Sequence, residues 1–274
     1  MDYRLIACDM DGTLLDGEGR LPSGFDALYQ RLHEAGIIFT PASGRQLATL
    51  QDMFGYCGED MSYLAENGSV VVARGEISSI TPFSPGGGRA LLRAVEEHWA
   101  EGGRDLDIVI CTPHCAYVRT ENIAGREEIA KYYHNLEHVE DLSATIGEDL
   151  IKVAIYTRTN AENHIDVLRA AVEQGLGQGE EARAVVSGAH WIDVMNPRAN
   201  KGRGLAELRE ALGVPAAQTM AFGDYLNDLE LLEEAGCAWA MANAHPAIKE
   251  AADHLAPSCE EAGVIRVLED VYGL

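Results

Sequence analysis

No apolar run in the chain approaches the roughly 20 residues that a helix needs to span a bilayer, which argues against a membrane-spanning protein. A secretory leader is not expected either, because charged Asp2 and Arg4 lead into a short apolar run that stops at Asp9. The six cysteines (Cys8, Cys57, Cys111, Cys115, Cys237 and Cys259) include no CxxC pair. Cys8 and Cys237 lie in apolar runs and read as buried thiols. Cys111 and Cys115 flank Pro113 and His114, where a metal site would lack a second pair of ligands. Internal repeats and low-complexity segments are missing as well. Together these absences lead to the expectation of a reduced, cytoplasmic protein.

Positive charge is also scarce. Lys and Arg number 21 against 44 Asp and Glu, a formal net charge of −23. Such a surface repels phosphate backbones and anionic lipid heads, so nucleic acid and membrane partners are not expected. An anionic substrate then requires a local positive site, such as a metal ion plus a lysine.

What remains is ordinary globular material, 47% hydrophobic and 24% charged. At 274 residues the chain holds one large domain or two modest ones. Residues 5–8 form a short apolar run of the kind buried in a parallel sheet. Apolar positions Phe25, Leu28, Leu32 and Ala35 follow at helical spacing, closed by Gly36. Strands are predicted over 37–40 and 63–65, separated by a helical stripe of Leu47, Leu50, Met53 and Phe54. This alternation predicts βαβ units and a doubly wound, Rossmann-like parallel sheet.

The rhythm changes after residue 72. The run Ser84-Pro85-Gly86-Gly87-Gly88 reads as a hinge. Beyond it, mixed strands (107–111, 116–119, 151–156, 191–195) and helices (91–99, 164–174) predict an inserted α+β domain. The expected division is a core of 1–83 and 197–274 around an insertion of 84–196, with the chain returning at Asn196-Pro197. The core pattern then resumes with a helix over 205–212, a strand over 219–222, a helix over 229–235 and strands over 238–241 and 254–256.

Ligands bind beyond the carboxyl ends of the strands in open parallel sheets. Four segments place reactive residues there. Asp9-Met10-Asp11-Gly12-Thr13 sets two acids directly after a buried strand. An aspartate there can attack phosphorus, and the second acid can protonate the leaving oxygen and then activate water. Ser43-Gly44-Arg45 offers a hydroxyl and backbone amides at a strand–helix turn, although such a turn alone more often caps a helix. Asn200-Lys201-Gly202 brings a lysine, a point charge suited to phosphate, to a helix start. Gly223-Asp224-Tyr225-Leu226-Asn227-Asp228 clusters hard oxygen donors without His or Cys, a set that suits Mg²⁺.

The order of these four segments resembles the haloacid dehalogenase-like (HAD) phosphohydrolase superfamily. Asp9-x-Asp11-Gly-Thr13 looks like its first motif, Ser43 its second, Lys201 its third and Gly223-Asp224-x-x-Asn227-Asp228 its fourth. Ala65-Glu66-Asn67-Gly68 further resembles the Cof-type branch, where threonine is more usual at the position of Ser43. The insertion looks like a C2-type cap.

That resemblance implies a magnesium-dependent phosphatase of small phosphorylated metabolites, working through an aspartyl-phosphate. Asp9 would be the nucleophile and Asp11 the general acid and base. Mg²⁺ would be held by the Asp9 carboxylate, the Asp11 carbonyl and the Asp224 carboxylate. Lys201, Ser43, Asn227 and backbone groups at Met10 and Gly44 would hold phosphate oxygens, and Asp228 would orient Lys201 or a metal-bound water. Arg45 and Asn67, together with cap residues, would select the substrate. Arg119, His114 and His190 are cap candidates, though a packing role is more common for each. The competing readings are a phosphotransferase or phosphomutase on sugar phosphates, a dehalogenase, and a non-catalytic phosphate-binding module. Monomer and dimer are equally compatible with the sequence.

Overall fold

The computed structural model describes residues 3–120 and 126–273; Asp2, used in the leader argument, lies outside them. Two compact units result. The first comprises Met1–Gly44, Met53–Ser79 and Asn200–Leu274, and the second Arg45–Asp52 and Ile80–Ala199. Among the described residues, no helix is long and apolar enough to cross a membrane.

The chain opens with strands β1 (Leu5–Asp9), β2 (Ile38–Ala42), β3 (Tyr63–Ala65), β4 (Val70–Ala73) and β5 (Glu76–Ile80). The inserted stretch carries β6 (Leu106–Cys111), β7 (Ala116–Arg119), β8 (Leu136–Val139), β9 (Lys152–Thr157), β10 (Arg183–Gly188) and β11 (Trp191–Met195). The return adds β12 (Thr219–Gly223), β13 (Cys237–Met241) and β14 (His254–Ala256).

In the first unit the strand order is β14-β13-β12-β1-β2-β3-β4-β5. Pairing is parallel from β14 through β3 and turns antiparallel between β3 and β4. Every residue of β1 and β12 is buried, as a central strand covered on both faces requires. Helix Phe25–Glu34 buries Phe25, Leu28, Tyr29 and Leu32. The Phe25 ring meets those of Phe39 and Phe54 edge-on, at centroid separations of 5.1 and 5.7 Å. This is the doubly wound core expected from the sequence.

The second unit holds a sheet of order β10-β11-β9-β6-β7-β8, antiparallel except between β7 and β8. Helices Pro85–Ala100 and Ile165–Gly175 bring Leu91, Val95, Leu168 and Val172 into one core with Ile108, Ile110, Val153, Ile155, Ile192 and Val194 of the sheet.

Three expectations need correcting. The Ser84–Gly88 run is no hinge: Ser84 caps the helix by accepting from the Gly87 N–H (3.2 Å), and Pro85 occupies the first turn. The glycines there serve close packing, since a Cβ on Gly86 would lie 2.6 Å from the Gly175 carbonyl oxygen. The inserted unit also begins at Ile80 and ends at Ala199 rather than at 84 and 196. Finally, Arg45–Asp52 belongs to that unit. Gln46 exchanges two hydrogen bonds with the Asn135 backbone, both 2.9 Å, and Thr49 Oγ1 donates to the Tyr132 carbonyl at 2.9 Å.

Candidate active site

Strand β1 runs between β12 and β2, and Asp9 ends it opposite Ala42. The chain then coils tightly. The Met10 carbonyl accepts from the N–H groups of Thr13, Leu14 and Leu15 at 3.3, 3.1 and 2.9 Å. Gly12 permits this turn, with φ of +85°, and its backbone packs directly on Asp224, where a Cβ would lie 2.4 Å from Oδ2. Thr13 Oγ1 donates to Asp224 Oδ1 at 3.2 Å, which joins the two loops.

Lys201 opens the helix Lys201–Leu212, behind the cap Asn200, whose side chain accepts from the Arg203 N–H at 2.8 Å. Its side chain is fully buried. Nζ donates to Asp9 Oδ1 at 2.5 Å and to Asp228 Oδ1 at 2.6 Å. The other oxygen of Asp228 accepts from the backbone N–H groups of Asp224 (3.0 Å) and Tyr225 (3.1 Å). Asp228 thus fixes both the lysine and the loop that presents Asp224. Gly223 makes room for it, since a Cβ there would lie 2.5 Å from the Asp228 Cβ.

The electrostatics follow from two carboxylates sharing one ammonium out of water. Burial, reinforced by the Asp228 charge, pushes Asp9 well above the usual carboxylate range, with Lys201 opposing. Burial alone would lower Lys201, but Asp228 and Asp9 together hold it above its ordinary value. Asp224 rises from 3.8 to about 6, chiefly by burial and then by repulsion from Asp228.

Carboxylate oxygens of Asp9, Asp224 and Asp228 lie within 4.8 Å of one another. With Asp228 occupied by Lys201 and two N–H groups, Asp9 and Asp224 are the acids left to face a cation. Such an all-oxygen pair, once deprotonated, fits a hard divalent ion such as Mg²⁺. The raised Asp224 gives this a sign. Its contribution to metal-free stability is complete below about 3.8 and is lost as pH rises through about 6. A cation needs the deprotonated form, so Mg²⁺ affinity is expected to weaken by about tenfold per pH unit below 6. Mg²⁺ titrations of thermal stability at pH 5 and pH 7 check this, and equal affinities would remove Asp224 from the ligand set.

A second group forms beside the first. Ser43 is buried; its N–H donates to the Leu64 carbonyl (2.8 Å) and its carbonyl accepts from the Asn67 N–H (2.9 Å). Asn67 sits at φ of +55°, with its amide packed on Gly44, where a Cβ would lie 3.1 Å from Nδ2. Asn227 Nδ2 reaches Asn67 Oδ1 at 3.4 Å. Met10 is buried and Asp11 is exposed at the turn. Arg45 belongs to the second unit, where its guanidinium lies 5.9 Å from the Tyr132 ring centroid.

The haloacid dehalogenase-like hydrolase family is matched over residues 6–268. The chain belongs to that family. Among its relatives is the 5-amino-6-(5-phospho-D-ribitylamino)uracil phosphatase YbjI of Escherichia coli (strain K12), 31% identical over 275 residues that cover 99% of this chain and 97% of that one. The Bacillus subtilis (strain 168) phosphatase YitU, named for the same substrate, is 26% identical and covers 98% of both chains. An HMP-PP phosphatase of Cronobacter sakazakii is 28% identical, covering 92% of this chain and 89% of its own. A haloacid dehalogenase-like hydrolase from Bacteroides thetaiotaomicron matches with a TM-score of 0.85 at 21% identity, over 98% of this chain and 99% of that one, which establishes the fold. The chain is therefore a hydrolase whose full-length relatives are named phosphatases.

Within this HAD-like chain, the cap candidates make local contacts. Arg119 pairs with Glu96 and lies over the Trp99 ring, His190 Nδ1 donates to the Thr157 carbonyl at 2.9 Å, and the His114 carbonyl accepts from Asn135. The sequence reading missed the Thr13 hydroxyl, although it lies inside the first motif. It also missed Asn243, whose Nδ2 donates to the Gly12 carbonyl at 2.7 Å. No local pattern announces that contact, because its partner is a backbone carbonyl 231 positions away.

Proposed function

We propose that this chain is a Mg²⁺-dependent phosphatase of small phosphorylated metabolites that works through an aspartyl-phosphate on Asp9. The observation that carries the reading is the buried Asp9–Lys201–Asp228 triad with Asp224 beside it. A lysine this completely desolvated between two acids is costly unless it holds charge in place for a purpose.

In this reading an Asp9 oxygen attacks phosphorus as the ester P–O bond breaks. Asp11 gives its proton to the departing oxygen. It then takes one from the water that cleaves the acyl-phosphate, which restores Asp9 and releases inorganic phosphate. Lys201, Ser43, Asn227 and the backbone N–H groups of Met10 and Gly44 bind the phosphate oxygens, and Asp228 keeps Lys201 in place. The Asp9 carboxylate, Asp11 carbonyl and Asp224 carboxylate would hold Mg²⁺. When bound, the ion offsets repulsion between the nucleophile and the phosphate and stabilises charge on the transferring group. Asn67 contributes to substrate choice. The inserted unit serves as a C2-type cap with the same role, and Arg45 acts as part of it. The protein is read as cytoplasmic.

The substrate panel follows from the relatives' names: 5-amino-6-(5-phospho-D-ribitylamino)uracil, HMP-PP, and sugar phosphates as the wider class. Phosphate release is measured with Mg²⁺ and with chelator. Magnesium-dependent hydrolysis of at least one ester is the expected result. No release from any ester, or release unaffected by chelator, would sink the reading. Transfer to a sugar acceptor in place of release would shift it to a phosphotransferase.

A further inference from the structure

The segment that follows β13 touches both catalytic loops. Asn243 Nδ2 donates to the Gly12 carbonyl at 2.7 Å, while Asn243 Oδ1 accepts from the Cys259 N–H at 3.1 Å. Two residues on, the His245 N–H donates to the Asp224 carbonyl at 2.8 Å. The His245 ring caps its own helix, its Nδ1 accepting from the Ala247 N–H at 3.2 Å, and its edge meets the exposed Tyr225 ring with centroids 5.9 Å apart.

Gly12 is where such a tie matters most. It has no side chain to anchor it, and φ of +85° leaves it the freest residue of the turn. Its neighbours Asp11 and Thr13 carry the acid and the bond to Asp224. One face of the Gly12 backbone packs on the Asp224 carboxylate, and its carbonyl is taken by Asn243. An asparagine suits this place because its amide offers a donor and an acceptor at once, bridging two backbone groups that both need partners.

We infer that Asn243 is a positioning residue for the reaction, holding the Asp11–Thr13 turn in register with the Asp224 loop by bridging the Gly12 carbonyl to the Cys259 N–H. The inference rests on the phosphatase reading above. Asn243 is exposed, so water competes for its bonds. Its contribution therefore lies in geometry more than in stability, and its loss should appear in kcat before it appears in Tm.

The test compares Asn243→Asp, Asn243→Ala and Glu260→Ala. The aspartate keeps the acceptor for Cys259 but loses the donor to Gly12, and alanine loses both. Glu260 Oε1 accepts from the Gly17 N–H at 2.8 Å, so its variant cuts a neighbouring tie that does not reach Gly12. Both Asn243 variants should lower kcat roughly tenfold or more with KM changed by less than about threefold, the split expected when only transition-state positioning is lost. Both should also speed hydrogen exchange over residues 10–15, where the Leu14 and Leu15 amides close the turn. Glu260→Ala should do neither. Wild-type kcat in both Asn243 variants, or an equal loss in Glu260→Ala, overturns the inference. If the wild type hydrolyses no ester, the phosphatase reading fails separately and exchange alone decides. Faster exchange over 10–15 in the Asn243 variants then upholds the tether, and unchanged exchange overturns it.

Discussion

Asp9→Asn is expected to lose turnover by at least roughly 10⁴-fold, the scale seen when one member of a covalent catalytic unit is removed, and to fold no less stably than the wild type. The two halves of that expectation have one cause. Asp9 is 6% exposed, and burial together with the Asp228 charge raises its pKa, so the folded protein disfavours its ionised form. An amide of the same shape removes that charge, while its oxygen can still accept from Lys201. Lys201 and Asp228 are then left as a neutral pair. The nucleophilic role proposed for Asp9, by contrast, has no substitute. Phosphate release and thermal melts of both proteins, with and without Mg²⁺, check the prediction. The variant should melt at or above the wild-type temperature without metal, and should gain less from added Mg²⁺. Turnover within tenfold of wild type would remove Asp9 from the chemistry. A large fall in Tm would instead mean that the Asp9 charge is needed for the fold.

Much of this site was legible because Asp9 ends one apolar run and Asp224 stands just past another. The run 5–8 lies in the central buried strand β1, so the residue that ends the strand must emerge at the sheet edge, and the same holds for the run 219–222 in β12 and for Asp224 just beyond it. Register then does the rest: β12, β1 and β2 are adjacent and parallel, which brings residues some 200 positions apart to one edge. Lys201 was the weak member. A lysine at a helix start is usually solvated, and only the fold shows that it is fully buried between Asp9 and Asp228.

What the sequence hid divides by physical cause. Strands β5, β8 and β10 carry exposed residues such as Glu76, Ile77, Glu137, His138 and Val186, so they lack the apolar runs that marked the central strands. All of them lie at or near sheet edges. Pro85 and the glycines after it were ambiguous because the same residues that break a helix also begin one and let it pack closely. The assignment of Arg45–Asp52 to the second unit depends on hydrogen bonds from Gln46 and Thr49 to backbone more than 80 positions away. Asn243 was invisible for the same reason.

Lys201→Met should destabilise the protein by about 3–5 kcal/mol, the usual loss when one partner of a buried ion cluster is removed, and should abolish turnover. The methionine fills similar space, so little of the loss comes from packing. What remains is a pair of buried carboxylates, Asp9 and Asp228, with no cation between them. Asp9 already has a raised pKa in the presence of the ammonium, and without it the pKa must rise further. A carboxyl whose folded pKa lies above its unfolded value stabilises the fold at low pH and loses that contribution as pH rises through the folded pKa. The deficit of Lys201→Met relative to wild type should therefore be larger at pH 8 than at pH 5. Asp9→Asn/Lys201→Met supplies the internal control. With one of the two carboxylates gone, the double variant should recover part of the loss, so the two substitutions should be non-additive by about 1 kcal/mol or more. Urea unfolding of the four proteins at both pH values measures every term. A deficit independent of pH together with strict additivity would mean that the ammonium is not what holds the two acids together, and the electrostatic account of this site would fall with it.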